Sequence, residues 1–201
     1  TNIPFEIELN DNVADERFIA DGMTEFERNV KRAGDFLLAI FGLIVFSPLF
    51  AVCYFLVKRE DNGPAIFKQE RIGRFGKPFY IYKFRSMVTN AEDLIKQFTP
   101  EQKAEYERNF KLEDDPRVTK VGKFMRRTSL DELPQLFNIL KGDISIVGLR
   151  PVMEVETEIY GNYRDMLLSV KPGLTGFRAA NGRSCTTYTR RRAMEICYIK
   201  N

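Results

Sequence analysis

From Phe36 to Val57 the chain reads FLLAIFGLIVFSPLFAVCYFLV, with no charged residue. As a helix rising about 1.5 Å per residue, this run would reach about 33 Å, the thickness of a bilayer's hydrocarbon core. That length argues against a buried soluble helix, and the run lies too far into the chain, behind an acidic stretch, for a cleaved leader. Lys31 and Arg32 precede it and Lys58 and Arg59 follow it, so both ends carry the charge favoured on the cytoplasmic side. Pro48 lacks an N–H and crowds the preceding turn, which predicts a kink. Ser47 can hydrogen-bond a carbonyl freed there. Two arrangements stay open on these grounds: a bent helix that returns to the face it entered, and a kinked helix that crosses. Asp35, one turn after Lys31 and Arg32, can pair with them at the interface.

Beyond this run the pattern changes. Residues 63–87 read as strands joined by tight turns, with Gly73-Arg74-Phe75-Gly76-Lys77-Pro78 between Ala65-Ile66-Phe67 and Phe79-Tyr80-Ile81-Tyr82-Lys83-Phe84. Residues 91–112 are charged and helical in pattern, and Thr99-Pro100-Glu101-Gln102 has the cap, proline and glutamine of a helix start. Asp114-Asp115-Pro116 ends them. Ser129 is expected to cap the next helix, with Glu132 three residues on completing a capping box. Leu130, Leu133, Leu136, Phe137 and Leu140 then predict one buried face. Gly142, Gly148 and Pro151 end that helix, and residues 152–169 read as helical up to Lys171-Pro172-Gly173.

Charge is unevenly placed. Residues 1–30 hold eight acids and two bases; of 31 bases and 28 acids in all, 29 and 20 remain for the rest. The net +3 therefore conceals a basic body suited to anionic partners such as nucleic acid, phosphorylated metabolites or an anionic membrane. The apolar run and the lack of a base-reading module argue against nucleic acid. Cys53, Cys185 and Cys197 fit no metal or redox spacing, and their odd number suits a reducing compartment. With no histidine, every His-based mechanism is excluded, leaving acid–base chemistry to carboxylates, lysine, tyrosine or thiol.

Asp131-Glu132 is the candidate centre. Acids in a first helical turn commonly do no more than offset the dipole. Here Lys120, Lys123, Arg126 and Arg127 precede them and Lys141 and Arg150 follow, and arginine's planar fork suits phosphate oxygens. Carboxylates among phosphate-binding groups repel the substrate unless a cation such as Mg²⁺ bridges them. An aspartate can also attack phosphorus itself.

In order along the chain stand Lys31-Arg32-Ala33-Gly34-Asp35, Ser47-Pro48, Lys83-Phe84-Arg85-Ser86-Met87 and Asp115-Pro116-Arg117-Val118-Thr119. Arg126-Arg127-Thr128-Ser129-Leu130-Asp131-Glu132-Leu133-Pro134-Gln135-Leu136-Phe137-Asn138, Lys141-Gly142-Asp143, Lys171-Pro172-Gly173-Leu174-Thr175-Gly176 and Asn181-Gly182-Arg183 follow. In this series the chain resembles the bacterial sugar transferases, the monotopic phosphoglycosyl transferases or polyprenyl-phosphate hexose-1-phosphate transferases, over about residues 28–200.

The resemblance implies an α+β, mainly helical fold: a membrane re-entrant helix-break-helix plus a cytoplasmic domain with a short β-hairpin. It divides the chain into an acidic extension (1–27), a re-entrant and interface segment (28–60) and a catalytic domain (61–201). It implies transfer of a sugar 1-phosphate from a UDP-sugar to a polyprenyl (undecaprenyl) phosphate, releasing UMP and starting a surface glycan at the cytoplasmic face of the bacterial inner membrane. Asp131 would be the nucleophile, forming a covalent phosphosugar. Glu132 would order Mg²⁺ with it or take a proton. Arg85, Arg150 and Arg183 would bind phosphate, Ser47-Pro48 would break the re-entrant helix, and Lys31, Arg32 and Asp35 would hold it among membrane lipids. The chain departs from the family where Leu149 replaces a proline and Ala179 stands near a usual glutamine. A noncatalytic membrane-anchored scaffold with a basic phosphate-binding surface is the competing reading, and both a monomer and a homodimer stay open.

Overall fold

The computed structural model describes residues 23–109, 112, 114–176, 195 and 199. It is mainly helical, with a short antiparallel β-hairpin as expected. Helix α1 (Glu25–Val45) and helix α2 (Ser47–Glu60) are separated only by Phe46 and bent by 65°. The break falls just ahead of the proline, which stands in the first turn of α2, where its missing N–H costs nothing. Ser47 Oγ donates to the carbonyl of Ile44 at 2.8 Å, the local repair expected of that serine. No single helix among the described residues is long and apolar enough to cross a membrane, whereas the bent pair passes that test together.

The burial of α1 is inverted relative to a soluble helix. Its inward positions are Asp35, Ala39 and Gly42, at helical spacing, while Phe41 (64% exposed) and Ile44 (68%) point out with Leu37 and Leu38. In α2, Phe55 is 69% exposed. Small and polar groups face the protein and large apolar ones face away.

The described residues form two compact units that interleave in sequence: one holds residues 23–42, 69–81 and 136–176, the other residues 43–68, 82–109 and 114–135. Strands β1 (Ile66–Ile72) and β2 (Pro78–Phe84) pair as the hairpin, whose turn carries Phe75 at φ 59° and Gly76 at φ 72°.

In the first unit, helix α6 (Gln135–Lys141, all but its first residue) ends at Gly142, φ +89°. The Gly142 N–H bonds Asn138 O and Ile139 O, and the Asp143 N–H also reaches Asn138 O, the pattern of a left-handed helix stop. A parallel pair that the sequence did not announce follows. Strands β3 (Ser145–Val147) and β4 (Gly173–Thr175) align Ser145 with Gly173 and Val147 with Thr175. A Cβ on Gly173 would lie 2.2 Å from the Gly148 N, so this approach requires glycine. Residues 152–169 do not form one helix. They break into helix α7 (Glu154–Thr157), a 3-10 stretch kinked at Gly161 (φ 49°) and helix α8 (Arg164–Ser169). Leu149, Val152, Tyr160, Tyr163, Leu167 and Val170 supply the core here.

In the second unit the core is Cys53, Val57, Ala65, Phe84 and Met125, flanked by Leu49, Phe50, Leu130 and Leu133. Helices α3 (Ala91–Ile95) and α4 (Pro100–Asn109) form the charged insert. The α4 cap is as the sequence predicts: Thr99 Oγ1 accepts from the Gln102 N–H at 3.3 Å and Gln102 Oε1 accepts from the Thr99 N–H at 3.0 Å. Arg117, buried against Asp115 in a two-pronged ion pair, also lies over the rings of Phe98 (5.1 Å) and Tyr106 (5.0 Å) and so docks the insert.

Candidate active site

Helix α5 (Lys120–Thr128) begins where Thr119 Oγ1 accepts the Gly122 N–H at 2.9 Å. It stops because Ser129 turns left-handed, φ 60° and ψ 18°. Leu130–Glu132 then make a single 3-10 turn before α6 opens at Gln135. The expected capping box therefore does not form. Ser129 ends one helix instead of starting the next, no side chain caps this turn, and the Glu132 N–H bonds the Ser129 carbonyl at 3.2 Å. The expected apolar face also shifts. Leu136 and Ile139 are buried, whereas Phe137 is exposed. The 3-10 turn advances a different angle per residue than an α-helix begun at Ser129, so the apolar face is rotated.

That turn is what presents the carboxylates. Leu130 and Leu133 sit against the core of the second unit, and Asp131-Glu132 lie between those two anchors. Asp131 is 8% exposed. Burial pushes its carboxyl above the ordinary 3.8; the Lys83 charge opposes this, the Glu132 charge adds to it, and Arg126 opposes it more weakly. Lys83 Nζ lies 3.6 Å from Glu132 Oε1 and makes the ion pair with that neighbour. Arg126 Nε donates to Ser86 Oγ at 2.8 Å.

The two carboxylates are adjacent, and no cluster of three His, Cys, Asp or Glu side chains forms among the described residues. Such a pair suits Mg²⁺, which keeps several waters and takes substrate phosphates in place of a full protein cage.

The other sequence candidates fall in several places. Arg85 is buried in the second unit, with Nε donating to Pro64 O at 2.7 Å and the guanidinium paired with Asp61. The Arg85 hydrogen bond holds the Asp61 carboxyl below its ordinary value. Asp61 also accepts from the Gly63 and Thr89 N–H groups, each at 3.3 Å, so Arg85 ties two loops together.

In the first unit, Asp35 Oδ2 accepts from Ser145 Oγ at 2.7 Å and from Lys31 Nζ at 3.4 Å, while its Oδ1 takes the Ile146 N–H at 3.1 Å. Lys31 also bonds Ser145 Oγ and Val147 O. Arg32 donates to Ile139 O (2.6 Å) and Leu140 O (2.7 Å), capping the carbonyl end of α6. Arg150 is exposed in this unit, beside a cleft lined by Leu149, Val152, Leu167 and Pro172. Arg183 lies outside the described residues. Sequence reasoning gave Lys83 no site role, although it opens the motif Lys83-Phe84-Arg85-Ser86-Met87 and is a lone cation in an aromatic strand.

Residues 26–201 match the bacterial sugar transferase family model. The chain belongs to that family. It is 48% identical over 177 residues to the undecaprenyl-phosphate galactose phosphotransferase of Salmonella typhimurium, covering 87% of this chain and 37% of that protein. The exopolysaccharide production protein ExoY of Sinorhizobium fredii is 44% identical over 174 residues, 85% of this chain and 77% of the relative. The UDP-glucose:undecaprenyl-phosphate glucose-1-phosphate transferase of Escherichia coli is 43% identical over 159 residues, 77% of this chain and 32% of that protein. The chain thus spans about a third of the length of two of these relatives and most of the third.

Proposed function

We propose that the protein transfers a sugar 1-phosphate from a UDP-sugar to a polyprenyl phosphate through a covalent intermediate on Asp131. The observation that carries this reading is a buried carboxylate with a raised pKa whose neighbour Glu132, and not Asp131 itself, makes the ion pair with Lys83. The names of the relatives supply the substrate classes.

In the first step an Asp131 carboxylate oxygen attacks the β-phosphorus, the phosphorus–oxygen bond to the uridine nucleotide breaks, and UMP leaves. In the second, a phosphate oxygen of the polyprenyl phosphate attacks the same phosphorus and the Asp131 oxygen leaves. Glu132 accepts the proton of the incoming phosphate if that group arrives protonated, and passes it to water. Lys83 and Arg126 bring positive charge toward the carboxylates, which limits repulsion of the anionic donor. Asp131 and Glu132 would hold Mg²⁺, which would neutralise phosphate charge. The outward apolar faces of α1 and α2 support seating in one leaflet, re-entrant at Phe46, with the site at the cytoplasmic face.

The test is to quench the enzyme with UDP-sugar in the absence of lipid acceptor and seek a phosphosugar on the Asp131 peptide by mass spectrometry. Asp131→Asn should give neither adduct nor UMP. Normal turnover by that variant overturns the assignment of the nucleophile, and a parent chain that forms no adduct and releases no UMP leaves the noncatalytic scaffold.

A further inference from the structure

Gln135 is 3% exposed, yet among the described residues its carboxamide makes no hydrogen bond or ion pair. Asn138, further along α6 and fully buried, shows the usual solution: its amide donates to Tyr80 O at 2.7 Å and to Asp143 Oδ2 at 3.0 Å. An amide buried without such partners works against folding. A leucine or methionine at the first position of α6 would fill the space without that penalty. The amide head is nevertheless not sealed in, since it is absent from the fully enclosed, unbonded side-chain atoms of the described residues. A trace of its surface stays open to water.

Asp131 stands four residues earlier, on the 3-10 turn that leads into α6, and no other described residue donates a hydrogen bond to its carboxylate. Two buried polar side chains, neither hydrogen-bonded to another described residue, thus stand four positions apart in one short run, both in the second unit. A neutral donor is the group this place calls for. A cation there would pair with Asp131 and blunt its attack, and a third carboxylate would repel the phosphate.

We infer that Gln135 is a substrate-contacting residue, its amide N–H donating to a non-bridging oxygen of the phosphoryl group that Asp131 attacks. The inference rests on the proposed function and adds a residue to it. The bond shortens as negative charge builds on that oxygen in the transition state, so its loss falls on turnover more than on donor binding.

Three variants of the full chain, Gln135→Met, Gln135→Glu and Asp131→Asn, are compared in detergent with undecaprenyl phosphate and UDP-galactose, UDP-glucose or UDP-N-acetylgalactosamine, reading UMP release and thermal melting. Gln135→Met is expected to melt at or above the parent, while kcat falls by about 10–100-fold and KM for the donor moves by less than about threefold. Gln135→Glu, which cannot donate and adds charge, should fall further. A Gln135→Met enzyme within about twofold of the parent kcat overturns the inference, showing that water alone satisfies the amide. A Gln135→Met chain that melts well below the parent overturns it too, because the amide would then be holding the fold. Full activity in Gln135→Glu rejects the donor role. Asp131→Asn separates the two claims: if it is inactive while Gln135→Met is normal, only the Gln135 inference falls, and if it turns over normally the proposed function falls.

Discussion

Replacing Lys83 with methionine removes the charge facing the carboxylate pair while keeping most of the stem that packs beside it. At the observed 3.6 Å the Lys83–Glu132 attraction is about 1 kcal/mol in water and about 4–5 kcal/mol at an effective dielectric near 20. Both side chains are about four-fifths buried (21% and 22% exposed), so the value lies between those limits, less the desolvation of both ions. A net loss of about 1–2 kcal/mol follows, which for a chain of this size is a fall of about 2–8 °C in melting temperature.

The catalytic effect has a definite sign. Lys83 is the largest influence opposing the burial of Asp131, so its removal drives that carboxyl still higher above 3.8. The folded state then keeps a proton on Asp131 at a pH where the unfolded chain has lost it, and stability falls as pH rises through that interval. The nucleophile is also protonated further up the pH scale. The acid limb of kcat/KM for UMP release should move to higher pH, with rate recovered on the alkaline side. A melting curve and an acid limb both unchanged, or a limb moved to lower pH, would refute the reasoning.

Asp35→Asn should destabilise the chain by about 2–4 kcal/mol in a thermal melt, because one amide cannot accept from Ser145, Ile146 and Lys31 together and leaves Lys31 without its counter-charge. Gly122→Ala places a Cβ 2.1 Å from the Ser86 carbonyl oxygen. It should lower stability by about 3 kcal/mol and, by displacing Ser86 from Arg126, lower turnover in the fraction still folded. Ser129→Gly should raise the melting temperature, since glycine takes φ +60° without the roughly 1 kcal/mol strain of a Cβ, whereas a helix-capping role would make the change neutral or harmful.

The bent apolar run, the hairpin and the Thr99 cap were legible because each depends on neighbours in sequence: a proline with its serine, tight-turn residues, a threonine with its glutamine. The family was legible for the same reason, being written in contiguous motifs. Sequence also placed Asp131-Glu132 at the centre but attached a helix start to it. A left-handed Ser129 was hidden because nothing local favours it; Leu130 and Leu133 entering the core on either side of the pair impose it. The β3–β4 pair was likewise invisible, as its three-residue strands lie 28 positions apart and meet through a glycine contact.

The chain by itself therefore determined which residues carry charge, where helices bend and what chemistry a histidine-free protein can use. Tertiary structure alone decided how each charge is placed. It committed Arg85 to Asp61, Arg32 to the end of α6 and Lys83 to Glu132, and among the described residues it buried Asp131 without a salt bridge and Gln135 without a hydrogen bond. Pairing and desolvation act between residues distant in sequence, and only folding brings those together.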